Sequence, residues 1–171
     1  AVLDELDKDG SKLKHYWQNV KSGDTDNRVG IAAKIYWDAL FGDDFMRYRT
    51  GASPNEMLNY GYTVLRAAVA RSLMGSGLFP AFGIYHRNRY NAFPLAEDIM
   101  EPYRPLVDEI VFDLYANGED ELNKDVKAEI LKLLYVDTVF DKVTRPLDLG
   151  LSVTTSSLAK CFSGEQKKIM Y

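Results

Sequence analysis

Leu58, Tyr62, Leu65, Val69 and Leu73 recur at intervals of three or four residues, which stacks them on one face of a helix and demands an opposing apolar surface. The punctuation around them agrees. Ser53, Pro54, Asn55 and Glu56 read as a capping box with proline at the first helical position, and Gly75 and Gly77 close the stripe. Glu56 thereby has a structural task and drops out of the candidate ligands. A helix of this kind needs other helices packed around it.

The rest of the chain supplies them. Ile31, Ile35 and Ala39, flanked by Ala32, Tyr36 and Leu40, predict a helix over 30–45 with Gly42 near its end. Residues 78–90 are apolar, aromatic and rich in turn formers, so His86 falls at the end of a short helix or on the loop after it. Pro94 can open the next helix, on which Asp98 and Glu101, three apart, share a face. Pro102 and Pro105 kink or restart it before VDEIVFDLYA. NGEDE reads as a connector, Asp125 as the cap of DVKAEILKLLYV, and TTSSLAKCF as the start of a last helix on a Thr or Ser cap. No set of strands emerges, so the expected fold class is all-α. Trp17 and Trp37 read most simply as core. Tyr60, Tyr62, Tyr85 and Tyr90 read as half-buried core tyrosines, with stacking on unpaired bases as their other use.

A chain of 171 residues buries enough surface for one core, and one domain is the default. No run of eighteen apolar residues predicts a membrane span, and no membrane partner or signal peptide is expected. The single Cys161 excludes an internal disulfide and fits a cytoplasmic location. The net charge of −4 argues against nucleic acid until its distribution is read. Between Phe45 and Ala92, Arg47, Arg49, Arg66, Arg71, Arg87 and Arg89 face only Glu56, a local charge of +5; from Asn91 onward nine basic residues face fifteen acidic ones. Such an arginine centre suits phosphate, which the planar guanidinium fork matches.

His86 stands twelve residues before Asp98 and fifteen before Glu101, with Arg87 and Arg89 beside it. A neutral imidazole and carboxylates suit Mn²⁺ or another divalent ion, and the arginines could hold a polyanion against it. DNA phosphate fits that description.

Three longer strings sharpen it. NYGYTVLRAAVAR, GIYHRNRYNAF and LAEDIMEPYRPLVDEIV, in this order and spacing, closely resemble the catalytic domain of the CRISPR adaptation integrase, most of all the branch that accompanies type II systems. The likeness is strongest from Ser22 to Val111. It implies a helical catalytic domain without the smaller N-terminal β-rich domain that builds the family's homodimer, with residues 1–21 as a linker helix region and 22–171 as the catalytic domain. It also implies a metal-dependent endonuclease and integrase that inserts spacers into CRISPR arrays by transesterification. Mg²⁺ or Mn²⁺ would be the cofactor. Double-stranded and branched DNA and the smaller second CRISPR adaptation protein, which bridges two dimers, would be the partners.

The resemblance also assigns residues. His86 and Glu101 match two of the family's metal ligands, and Asp98 matches a further acid that would orient or supplement them. The first ligand, a glutamate, belongs in SGDTDNRVGIAAKIYW directly after Arg28, where this chain has Val29. Asp26 is the nearby acid best placed to substitute for it. Arg87 and Arg89 are the first choices for phosphate contacts, followed by Arg47, Arg49 and Arg66, with two of the five expected in structural ion pairs. A valine cannot ligate a cation, so poor catalysis is expected. The alternatives are a catalytically inactive DNA-binding scaffold subunit and, with the likeness set aside, a helical protein-interaction module.

Overall fold

The computed structural model describes residues 2–21, 23–140 and 142–171; the side chain of Trp17 lies outside what it describes. Among the described residues eight α-helices run in the order α1 (Val2–Glu5), α2 (Ser11–Gln18), α3 (Arg28–Phe41), α4 (Asn55–Gly75), α5 (Pro94–Met100), α6 (Arg104–Ala116), α7 (Lys124–Leu131) and α8 (Leu147–Ser163). Helix α4 is the hub. Its stripe of Leu58, Leu65, Val69 and Leu73 is fully buried, and α5, α6, α7 and α8 pack around it. Burying each of these side chains contributes about 1.5–3 kcal/mol. A second, smaller cluster joins Val2 and Leu3 of α1 to Leu40 of α3, and Lys8 Nζ donates to the carbonyl of Ala39 at 2.8 Å.

The all-α expectation holds, with one small hairpin added to it. Asp137–Phe140 and Val143–Pro146 pair as an antiparallel hairpin, β1 and β2, with Asp137 opposite Pro146 and Phe140 opposite Val143. Phe140 is the one fully buried residue of these strands, and it enters the core where Gly150 of α8 leaves room: a Cβ there would overlap the Phe140 ring.

Three predicted helix starts also differ. Helix α4 begins at Asn55 without a side-chain cap; Ser53 Oγ instead lies 3.5 Å from Glu56 Oε1, which accepts the amide of Leu122 at 3.2 Å. Asn123, not Asp125, caps α7, accepting the amides of Asp125 and Val126 at 2.9 Å. Helix α8 starts at Leu147, so Thr154 and Thr155 are buried within it; Thr154 meets the Tyr103 hydroxyl at 2.6 Å and Thr155 that of Ser72 at 2.8 Å. Their polar side chains resemble a helix start, but partners on neighbouring helices satisfy them in the core.

Candidate functional site

Helix α5 opens on Pro94, whose fixed φ suits the first helical turn, and it presents two consecutive acids to the preceding loop. Asp98 grips one end of that loop. Its Oδ2 accepts the amides of Ile84 at 2.6 Å and Tyr85 at 3.0 Å, while its Oδ1 accepts the amide of His86 at 3.0 Å and lies 2.6 Å from the imidazole Nδ1. Burial opposes ionisation of this carboxyl, but the hydrogen bonds from His86, Tyr85 and Ile84 outweigh it and hold Asp98 below the ordinary carboxylate range. With Nδ1 engaged, Nε2 is the imidazole nitrogen left for a ligand.

Glu97 holds the other end, accepting from Asn91 Nδ2 at 2.7 Å and from Arg66 Nη1 at 3.2 Å. The approach is so close at Gly83 that a Cβ would overlap the carbonyl oxygen of His86 and stand 2.8 Å from Pro94 Cβ. Here the loop needs glycine. His86, Arg87, Asn88, Arg89 and Asn91 line a pocket of about 400 Å³ beneath it.

Glu101 lies on a different wall. It starts a 3-10 turn, Glu101–Tyr103, and with Val29, Tyr36, Tyr62 and Arg104 lines a cavity of about 900 Å³. Its Oε1 accepts from Arg104 Nε at 3.0 Å, and the Arg104 guanidinium lies 4.7 Å from the Tyr62 ring centre. Tyr62 and Tyr36 both donate to Asp108, the latter at 2.8 Å. Burial pushes the Asp108 carboxyl up to about 6, although both phenols and the charges of Arg104 and Arg47 favour the anion. Burial first, and then the Asp108 charge, raises both tyrosines.

Val29 sits in the first turn of α3 with its side chain on this cavity. The neighbouring acids are committed elsewhere. Asp24 accepts the amides of Arg28 at 2.7 Å and Val29 at 3.1 Å, and Asp26 pairs with Lys21 at 2.7 Å. The structure therefore joins His86 to Asp98 by hydrogen bond, while Val29 and Glu101 line one pocket and His86 another. Among the described residues no group of three or more His, Cys, Asp and Glu side chains could hold a metal ion.

The arginines divide. Arg47 donates to Asn55 Oδ1 at 3.0 Å and Asn59 Oδ1 at 2.8 Å, half-buried against Trp37 and Tyr62. Arg66 is tied to Glu97, and Arg89 lies 4.7 Å from the Tyr90 ring centre. Arg49 and Arg87 have side chains that nothing engages among the described residues. The expectation of four core tyrosines is corrected by half: Tyr60 and Tyr62 pack on the core, whereas Tyr85 and Tyr90 are 76% and 80% exposed.

The chain has counterparts among known proteins. The family model described as CRISPR associated protein Cas1 matches residues 5–131. The chain belongs to the Cas1 family. A CRISPR-associated endonuclease Cas1 of Neisseria meningitidis serogroup C is 45% identical to this Cas1-family chain over 138 residues, covering 78% of the chain and 45% of the relative. A Cas1 protein from Thermotoga maritima superposes with a TM-score of 0.78 at 18% identity, over 96% of the chain and 61% of that protein. A casposase bound to integration product does so at 0.73 and 21% identity, over 99% and 58%. The last two likenesses concern the fold. The chain spans about half the length of the curated Cas1 relatives it matches.

Sequence reasoning missed four residues that shape these two pockets or hold the loop between them: Gly83, Asn91, Glu97 and Asp108. Gly83 carried a weak signal, a glycine three residues before the only histidine of the site. Glu97 and Asp108 act through contacts with helices far away in sequence, and Asn91 through its bond to Glu97.

Proposed function

We propose that this chain is the DNA-handling helical part of an integrase that inserts spacers into CRISPR arrays. In that reaction a 3′-hydroxyl of the incoming DNA attacks a phosphodiester at the repeat end and displaces the adjoining strand. One observation carries the reading: Asp98 fixes His86 beside Arg87 and Arg89, giving an oriented imidazole and unspent positive charge in one pocket. Membership of the Cas1 family supports it. Arg87, Arg89 and Arg49 are the arginines for phosphate; Arg47 and Arg66 brace the walls. Double-stranded and branched DNA are the proposed ligands, a second copy and the smaller adaptation protein the proposed protein partners. The cytoplasm is the proposed location; among the described residues no helix is long and apolar enough to cross a membrane.

An intact centre would use Mg²⁺ or Mn²⁺. The donors present do not complete one: Val29 offers no lone pair, Glu101 is shared with Arg104, and His86 opens on the other pocket. This favours a second reading, a subunit that holds DNA and cuts poorly or not at all.

Branched DNA incubated with the chain and with its Val29→Glu form separates the two. The unmodified chain is expected to cut little in either ion, and Val29→Glu to gain activity, more in Mg²⁺ than in Mn²⁺, because the harder ion depends most on carboxylate. Equal cutting by both forms in Mg²⁺ would remove Val29 from the account and make Asp26 the next residue to change. No cutting by either form would leave the holding subunit.

A further inference from the structure

The hairpin leaves one strand edge open, and the phase of its ladder identifies which. Leu147 N donates to the Val136 carbonyl at 2.9 Å. Carried along the register, that bond makes Thr138–Arg145 and Phe140–Val143 the hydrogen-bonded pairs. In Asp137–Pro146 and Val139–Thr144 the backbone groups point away from the neighbouring strand instead. The two outer edges are therefore unequal. Pro146 has no N–H, so β2 presents one outward donor, that of Thr144. Strand β1 presents two donors and two acceptors, on Asp137 and Val139, and among the described residues no hydrogen bond engages any of them.

An open edge of this kind is a template for another extended backbone. Its donors and acceptors are self-complementary. An antiparallel second copy sets Asp137 opposite the other Val139, and Val139 opposite the other Asp137, closing four N–H···O bonds about a two-fold axis at Thr138. Charge suits the same register: each Asp137 faces a valine, and Thr138 meets Thr138 as a β-branched cross-strand pair. Val139 is 62% exposed on the face turned away from the buried Phe140, and Tyr135, just before the strand, is 76% exposed. A lone two-stranded hairpin is marginal in water, and adjoining strands stabilise it.

We infer that the outer edge of β1 is a homotypic docking edge, on which a second copy of this chain pairs antiparallel to give a four-stranded sheet in the order β2, β1, β1, β2. The contact is separate from the N-terminal β-rich domain to which the resemblance assigns the family's homodimer. It also owes nothing to spacer insertion, whose failure would show in DNA cutting. A four-residue edge buries less than the roughly 1,200 Å² of a stable interface, so the dimer is weak, with a dissociation constant on the order of 100 μM.

Sedimentation velocity of the chain from about 10 μM to about 1 mM, a range that spans the expected constant, tests it. The chain is expected to pass from monomer to dimer. Over the same range hydrogen exchange should slow about threefold at the amides of Asp137 and Val139 and stay unchanged at that of Thr144. Val139→Pro removes an outward donor but no ladder bond, since Val139 gives none to β2, and should weaken association by about tenfold or more. Thr144→Pro makes the same change on the outer edge of β2 and should leave the dimer intact. Charge tests the register without proline: Val139→Asp sets like charges opposite each other twice and should weaken the dimer, and adding Asp137→Lys should restore it. Rescue by that second change excludes misfolding as the cause of the loss. A chain that stays monomeric to about 1 mM would overturn the inference and leave the edge to a strand of a different protein. Equal loss in Thr144→Pro, protection at Thr144 in place of Asp137 and Val139, or no rescue by Asp137→Lys would each overturn it as well.

Discussion

Asp98 Oδ1 lies 2.6 Å from the His86 ring and 3.0 Å from its backbone nitrogen, so one carboxylate sets both the path of the loop and the orientation of the imidazole. Its other oxygen takes the amides of Ile84 and Tyr85. Asp98→Ala leaves three amides without an acceptor, at a cost of about 1–3 kcal/mol each where they stay dry. Hydrogen exchange at residues 84–86 should then accelerate at least tenfold while α4 stays protected. Unchanged exchange at those amides would show that the loop does not depend on this residue.

Asp108 gives a pH dependence of defined sign. Burial raises its carboxyl to about 6 in the folded chain, against an unfolded value near 3.9. The folded state binds the extra proton between these values, so the contribution of Asp108 to stability is full below about pH 4 and is lost as pH rises through about 6. Urea unfolding of the chain and of Asp108→Asn from pH 4 to 7 should therefore differ in slope, by up to about 1.4 kcal/mol per pH unit. Parallel curves would sink this.

Phosphate contact is read from salt. If Arg87 and Arg89 each neutralise one phosphate, replacing both by alanine should flatten the slope of log affinity against log salt by about two units. Arg66→Ala should change the slope less, because Glu97 already holds that guanidinium. An unaltered slope in the double variant would place DNA on another face.

Packing predicts a steric result. Gly150→Ala drives a methyl into the Phe140 ring and should destabilise the chain by about 1–3 kcal/mol. Shortening the partner in the double variant Gly150→Ala, Phe140→Leu should recover part of that loss in urea unfolding. Strict additivity of the two changes would show that the hairpin moves aside instead.

Legibility followed locality. Apolar periodicity marked α4 because each of its buried positions repeats within a single turn, and Gly42 and Pro94 marked a helix end and start because each fixes its own backbone. The hairpin escaped because its strands are four residues each and only Phe140 is fully buried, too short an alternation to see beside helices. His86, Asp98 and Glu101 stood out by motif, yet that Glu101 lines the pocket of Val29 and His86 another depends on how the turn at Glu101 lies against α3, which no local spacing encodes. Asp108 was invisible for the same reason: its hydroxyl partners lie 46 and 72 residues away.

The hub position of α4 also has a consequence in time. This 21-residue helix, about 31 Å long, bonds through Ser72 to Thr155, 83 residues further on. During synthesis at about 5–20 residues per second, the face of α4 that meets α8 must wait several seconds for its cover. Over that interval the apolar surface around Ser72 stays open to chaperones or to another nascent chain, and the arrival of α8 is what ends the exposure.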